Sequence, residues 1–362
     1  MRIWFALAQP RNIFSGTYRL VSSLAGELTR KGHTVRVIWS AKRGGSIARF
    51  LFSLRLLFTL LLSFFRRPHW IVTPSSEGLF CAWAARLGLV STRTAVRSLG
   101  WEEMSFEIER RLPRSVVPHP TPLASHLAAA AMLRTALLRT DACICGSIGE
   151  ARWLKRRYPK LAGAIKVVPT GCDHAPKPFW PSQAEWPMSF LVVGEFTWKK
   201  NIDYAIELFS RLSQVLPEAR LFCVGSGSIP ENRRKIIDGL GDAIFIVEHE
   251  LPHKMFRWYE TCPFLIAASR YEGGHPLPVL EAQSRGMVVF ANTIPAVGEI
   301  VRDGHDGILL TGCAAEADAA RIAAVCNDRE RCTAIGLAAW RSASRKSWER
   351  QTRRLIRVLS AK

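Results

Sequence analysis

Residues 2–39 read RIWFALAQPRNIFSGTYRLVSSLAGELTRKGHTVRVIW, and this stretch decides the fold. RIWFAL is an apolar run of strand length. After a loop, residues 18–30 place Leu20, Leu24 and Leu28 at helical spacing. Gly32 and His33 break that helix, and TVRVIW then alternates polar with apolar residues, as a half-buried strand does. Strand, helix and strand in this order form a βαβ unit, which requires parallel pairing with helices on the sheet faces.

Working outward, the pattern resets near the middle of the chain. PMSFLVVGEF predicts a strand, NIDYAIELFSRLSQVL a helix and ARLFCVGSG a further strand. PFLIAAS, PVLEAQSRG and MVVFANT continue as strand, helix and strand, and residues 314–325 predict another helix. Between the halves lies HAPKPFWPSQAEWP, where Pro176, Pro178, Pro181 and Pro187 forbid a regular element and mark a linker. The expected organisation is therefore α/β with three parts. Residues 1–175 form the first domain, residues 176–340 the second, and the basic tail 341–362 a helix packing back on the first domain.

A length of 362 residues accommodates two such domains. With 48% hydrophobic and 22% charged residues, the chain is globular rather than disordered. A formal charge of +20 points to an anionic partner. The nine cysteines lack the paired spacing of a zinc site, and their odd number suits buried, reduced thiols in a cytosolic protein.

Residues 50–65, FLFSLRLLFTLLLSFF, are almost wholly apolar. As a helix these 16 residues reach roughly 24 Å, short of a hydrocarbon core of roughly 30 Å. Ser53, Thr59, Ser63 and Arg66 fall at near-helical spacing, which predicts a narrow polar stripe on a helix lying along a membrane surface. Between Glu27 and Glu77 there are nine Lys and Arg and no acidic residue, a bias that favours anionic headgroups. The expected contacts are Phe50, Leu57, Leu61, Arg66 and Arg67; the alternative is an ordinary buried helix.

The segment richest in chemistry is SRYEGGHPLPVLEAQSRGMVVFANT, where a strand feeds a glycine-bearing loop that opens into a helix. Backbone N–H groups of Gly274, His275 and Leu277 suit a diphosphate there, next to the positive end of the helix dipole. Pro278 suits the first helical turn, so the helix is expected to begin at that residue. Glu272 on the loop suits sugar hydroxyls, and Glu281 one turn into the helix suits a ribose. In VVGEFTWKKNIDYAIELF, Gly194 allows a turn before Lys199, Lys200 and Asn201, where a lysine can neutralise phosphate. VGSGS, with Gly225, is a further glycine turn after a strand. Trp101, Glu102 and Glu103 follow an expected strand end, where open α/β sheets bind ligands, and are candidates for an acceptor cleft. His119 and His126 read as structural.

EGGHPLPVLEAQSRGMVVFANT, VGEFTWKKN and VGSGS resemble the donor-site signatures of the group 1, or family 4, glycosyltransferases. LAGELTRKGHTVRV and KVVPTGCD resemble that family's first helix with second strand and its interdomain segment, so the likeness covers nearly the whole chain. The resemblance implies a GT-B fold, two Rossmann-like domains facing across a cleft. It also implies a nucleotide-diphosphate sugar as donor, retention of anomeric configuration, and neither a metal nor a cofactor. Lys200 would bind the diphosphate, Glu281 the ribose and Glu272 the transferred sugar, with Gly16 lining the phosphate-facing loop of the first domain. Gly273 and Gly274 belong to the same donor loop. Three positions depart from the pattern: eight residues separate Glu272 from Glu281, one more than usual, Glu195 stands where an arginine is common, and Leu99 where a histidine is common.

The expected function is a retaining, metal-independent glycosyltransferase of cell-envelope or exopolysaccharide synthesis. Its acceptor would be lipid-linked or a glycan, and it would be peripheral on the cytoplasmic face of the membrane. The alternative is a catalytically degenerate relative that binds nucleotide and scaffolds a membrane assembly. A nucleic-acid partner, suggested by Trp153, Lys155, Arg156, Arg157 and Tyr158, is set aside because those residues read as a solvated helix face.

Overall fold

The structure is a computed structural model that describes residues 1–41, 46–63, 66–117, 120–227, 229, 231–248, 250–251 and 254–361. Phe64, Phe65, His119 and Ser228 lie outside the described residues. The chain divides into two units, Met1–Thr170 with Trp348–Lys362, and Gly171–Ser347.

The first unit runs β1 (Arg2–Leu7), α1 (Gly16–Arg30), β2 (Thr34–Trp39), α2 (Ser46–Leu62), β3 (Trp70–Thr73) and α3 (Leu79–Arg86). It continues with β4 (Arg93–Arg97), α4 (Glu102–Glu109), α5 (Leu123–Leu137), β5 (Ala142–Cys145), α6 (Ile148–Arg157) and β6 (Ile165–Val167). These strands form one parallel sheet of order β2-β1-β3-β4-β5-β6. Helix α1 begins where Ser15 caps it, its hydroxyl accepting from the Tyr18 N–H, and it turns Leu20, Leu24 and Leu28 into the core.

The second unit runs β7 (Ser189–Glu195), α7 (Ile202–Val215), β8 (Arg220–Ser226), α8 (Glu231–Leu240), β9 (Ile244–Glu248), α9 (Met255–Thr261) and β10 (Phe264–Ala267). Then follow α10 (Leu277–Gln283), β11 (Val288–Asn292), α11 (Pro295–Gly298), β12 (Ile308–Leu310), α12 (Ala315–Cys326) and α13 (Arg329–Ser344). Its sheet is also parallel, in the order β12-β11-β10-β7-β8-β9. The central strands are buried on both faces. Phe190, Phe264 and Phe290 from three neighbouring strands meet there, with the Phe190 and Phe264 rings stacked 5.0 Å apart.

The proline-rich stretch is a docked segment rather than a free linker, and the division falls ahead of it, between Thr170 and Gly171. Trp180 is buried and donates to the Tyr259 carbonyl at 2.8 Å, while Trp186 donates to the Trp180 carbonyl at 2.8 Å and carries the Arg329 guanidinium over its ring at 4.3 Å. Proline forbids a regular element but leaves neighbouring indoles free to bury themselves. Trp180→Phe should keep most of the packing but lose the indole's hydrogen bond to the Tyr259 carbonyl; a loss of about 1 kcal/mol in denaturant unfolding is expected.

Of the tail expected at 341–362, residues 341–347 stay with the second unit; the rest is helical, α14 (Trp348–Ser360), and belongs to the first unit, where the Trp70 indole donates to the Leu359 carbonyl at 2.7 Å and Lys31 meets Glu349 at 3.2 Å. The cysteines are free thiols, all buried except Cys313.

Candidate functional site

In a doubly wound sheet the loops after two neighbouring strands diverge where the strand order reverses, and ligands bind at the carboxyl ends of those strands. In the second unit the reversal lies between β7 and β10, because β8 and β9 extend the sheet on one side and β11 and β12 on the other. The loop after β7 carries Lys199, Lys200 and Asn201; the loop after β10 carries Glu272, Gly273, Gly274 and His275. A pocket opens between them, lined by Gly194, Phe196, Lys200, Ser269, Glu272 and Pro278, among others. Both sequence signatures therefore converge on the one point where this topology leaves room for a ligand.

Lys200 and Glu272 meet there, Nζ to Oε1 at 2.5 Å, and the Ser269 hydroxyl donates to the same oxygen at 2.7 Å. The two loops are fixed by backbone bonds as well. The Arg270 N–H donates to the Lys199 carbonyl at 2.8 Å, and the Arg270 guanidinium to the Trp198 carbonyl at 3.0 Å. Asn201, with φ of 57°, ends the turn in the left-handed region, so α7 begins at Ile202. Gly194 has φ of 144°, which favours glycine. Its partner across the ladder, Gly225, is tighter still: a Cβ there would lie 1.8 Å from the Gly194 carbonyl oxygen. Gly225 is required by strand contact, a packing role that the motif alone did not disclose.

Helix α10 starts at Leu277 rather than Pro278, with Pro276 at its N-cap. Leu277 is thus the first helical residue, whose N–H has no partner within the helix. Glu281 sits on the buried side of α10 and accepts from the Tyr259 hydroxyl at 2.7 Å. His275, the residue that lengthens the loop, is held at 3.1 Å by Glu299, just beyond α11. The sequence reading missed Ser269, Tyr259 and Glu299, which orient the three site side chains. Only Ser269 carried a local signal, its place at a strand end three residues before Glu272.

In the first unit, Gly16 is exposed at the first position of α1, on the loop after β1 and so at that sheet's own reversal between β1 and β3. The acceptor-cleft expectation needs correction. Trp101 is buried in the core, and Glu103 is buried while accepting from the Tyr158 hydroxyl at 2.6 Å and from Arg157 at 3.2 Å. Glu102 is partly exposed but paired with Arg49 of α2. Arg157 and Tyr158 are therefore structural ties rather than a nucleic-acid face. Leu99 lies on the turn after β4, and Glu195 is exposed at the end of β7.

Helix α2 meets the expectation only in part: Phe50 and Leu61 are exposed as expected, whereas Ser53 of the expected polar stripe is not. Ser53 is fully buried, its hydroxyl accepting from the Phe80 N–H at 3.1 Å, and Leu57 packs against the core. The outward face is largely apolar: Ile47, Phe50, Leu51, Phe58, Leu61 and Leu62 are exposed, Leu62 to 85%, with Arg55 exposed among them. The polar residues Arg49, Ser53, Arg55 and Thr59 lie on two sides of the helix, so spacing alone did not disclose which face is buried. Arg66 is exposed and Arg67 half-buried. Among the described residues, no helix is long and apolar enough to cross a membrane.

Residues 181–341, nearly all of the second unit, match the family model for glycosyl transferases group 1. A D-inositol 3-phosphate glycosyltransferase of Nocardia farcinica is 26% identical over 242 residues, covering 62% of this chain and 53% of the relative. The chain thus spans about half the length of that curated relative. In fold, it is similar to sucrose-phosphate synthase of Thermosynechococcus elongatus, with a TM-score of 0.74 at 16% identity over 99% of this chain and 98% of that one. It is equally similar to Anabaena Alr3699/HepE, solved in complex with UDP and glucose, with a TM-score of 0.75 at 15% identity over 99% of both chains. The architecture is that of these GT-B proteins, two α/β units each built on a parallel sheet.

Proposed function

We propose, from the match of the second unit to the group 1 glycosyl transferases, that the protein moves a sugar from a nucleotide-diphosphate donor onto an acceptor hydroxyl. The observation that carries this reading is the convergence of Lys200, Glu272 and Ser269 at the β7/β10 reversal. An ammonium there offsets the charge that develops on a departing diphosphate, and the N-terminal turn of α10 adds backbone dipoles of the same sense. Glu272, oriented by Ser269, accepts hydroxyls of the transferred sugar, and Glu281, steadied by Tyr259, takes the ribose.

No protein nucleophile is needed if an oxygen of the leaving phosphate deprotonates the acceptor hydroxyl on the face from which it departs. That route gives retention of configuration and leaves Lys200 to carry the charge stabilisation without a metal. The acceptor in this reading is a lipid-linked sugar or glycan of envelope or exopolysaccharide synthesis, met at the cytoplasmic surface of the membrane. Support comes from the outward apolar face of α2 beside a basic, carboxylate-free stretch of chain.

The transferase reading is tested by thermal unfolding of the full chain with UDP, GDP and ADP. A ligand at a hundred times its Kd adds about 2.7 kcal/mol, so one of the three should raise Tm by a few degrees. If none does, the donor assignment fails. The membrane reading is tested with Leu51→Glu/Phe58→Glu, both exposed and so tolerable to the fold. At least a tenfold drop in partition onto vesicles of phosphatidylcholine and phosphatidylglycerol is expected, and unchanged partition by the folded variant removes α2 from the contact.

A further inference from the structure

The apolar surface of the first unit does not end with α2. The first ten residues of α5, LASHLAAAAM, have no charged side chain, and Leu123 and Leu127, one turn apart, are exposed to 53% and 58%. The Ser46 hydroxyl at the start of α2 donates to the Ser125 carbonyl at 3.4 Å, which sets the two helices side by side at these ends. Between Glu109 and Asp141 there is no acidic residue, while Arg110, Arg111, Arg114, Arg134 and Arg139 bracket the apolar half-helix.

Beside Leu123 opens a depression of about 680 Å³, walled by Phe106, Arg110, Arg114, Thr121 and Leu123. Its floor is aromatic: the Phe106 ring stacks on His126 at 3.5 Å, and the Arg110 guanidinium lies 5.9 Å from the same ring. The carboxylate in the wall, Glu109, is turned to Thr121, accepting from its N–H and, at 3.2 Å, from its hydroxyl.

The charge decides the occupant. A second copy of this chain would bring the same arginines against these, and their repulsion opposes pairing. An anionic bilayer instead offers hydrocarbon to Leu123 and Leu127 and phosphate to the arginines at the same depth. The planar fork of arginine matches a phosphate, and an aromatic floor beside a leucine rim suits the glycerol and upper acyl chain attached to it.

We propose that α5 joins α2 on the bilayer and that the depression walled by Arg110, Arg114 and Phe106 seats the phosphate of an anionic membrane lipid. This rests on the membrane reading of α2 and adds to it a second contact and a headgroup site.

The test is co-sedimentation of the full chain with vesicles of phosphatidylcholine alone and of phosphatidylcholine with phosphatidylglycerol in equal parts, each variant first checked for wild-type circular dichroism. Leu123→Glu/Leu127→Glu should lower partition on both vesicles at least tenfold. Arg110→Gln/Arg114→Gln should lower the preference for the anionic vesicle roughly 10- to 30-fold. Arg341→Gln/Arg345→Gln, an equal charge loss at exposed positions in the last turn and C-cap of α13, should leave that preference intact. Wild-type preference in Arg110→Gln/Arg114→Gln overturns the headgroup site, as does an equal loss in the α13 control. Displacement by inorganic phosphate at constant ionic strength would overturn the lipid assignment in favour of a free anion. If the α2 variant releases the protein and the α5 variant does not, the α5 contact is wrong while the membrane reading stands; if the wild-type chain binds neither vesicle, that reading falls with it.

Discussion

Glu272→Gln is expected to bind nucleoside diphosphate more tightly than the wild type while transferring sugar far more slowly. Glu272 occupies the Lys200 ammonium at 2.5 Å, so a diphosphate that takes Lys200 must compete with a carboxylate. The glutamine keeps the shape and the Ser269 hydrogen bond but removes the competing charge. About a tenfold gain in diphosphate affinity by titration calorimetry is expected, together with roughly a 10²-fold loss of kcat because the sugar loses its charged acceptor. Lys200→Ala is the opposite case, with both affinity and kcat/KM falling by ~10²–10³. The pair of results matters because a merely structural ion pair predicts another pattern: both variants would lose thermal stability by similar amounts and neither would gain affinity. Equal, small changes in diphosphate binding for the two variants would refute the assigned roles.

How much of this was legible in the chain depends on where each signal lives. The alternation of RIWFAL, LAGELTRKGH and TVRVIW is local, and the same period in the second half led directly to two parallel sheets. Lys200 and Glu272 were legible because each follows a strand at a glycine-marked turn, yet that they touch required the strand order, which no single segment carries. Ser269 and Tyr259 were hidden for the same reason, since their roles are pairings across elements. Trp101 and Glu103 misled because a residue after a strand end faces either a crevice or the core, and sequence spacing does not distinguish the two. Helix α2 misled because the few polar residues in and just after it do not share one environment: Ser53, Thr59, Ser63 and Arg66 look like a solvent stripe until Ser53 is found bonded to the Phe80 backbone in the interior. The prolines of residues 174–187 exclude α-helix and strand but not a short 3-10 helix at Trp180–Ser182, and the docking of Trp180 and Trp186 depended on a partner surface far along the chain.

Two carboxyl groups in the first unit give this protein an unusual pH dependence of stability. Burial pushes Glu150 up to about 7 from an ordinary 4.5, against the opposing help of the Ser98 hydroxyl, the Gly146 N–H and Arg97. Burial likewise pushes Glu77 up to about 7, against hydrogen bonds from its own loop, including the Ser75 N–H at 2.8 Å, and the charge of Arg49. In each the folded state holds its proton more tightly than the unfolded chain does. The stabilisation is therefore complete below pH 4.5 and is lost as the pH rises towards 7, where the folded protein must ionise a buried group. The loss is ~3 kcal/mol for each carboxyl, levelling off above about pH 7. His33 and His174, held below their ordinary value by burial, act in the other direction, so the comparison must be made between variants. Denaturant unfolding at intervals from pH 5 to 8 should show Glu77→Gln/Glu150→Gln gaining on the wild type as the pH rises, by up to ~6 kcal/mol at the alkaline end. A constant difference across that range would mean that both carboxyls ionise freely in the folded state. The ties that Glu150 makes from the β5–α6 turn to Ser98, and that Ser98 makes to the Gly100 N–H at 2.9 Å, would then be those of an ordinary anion.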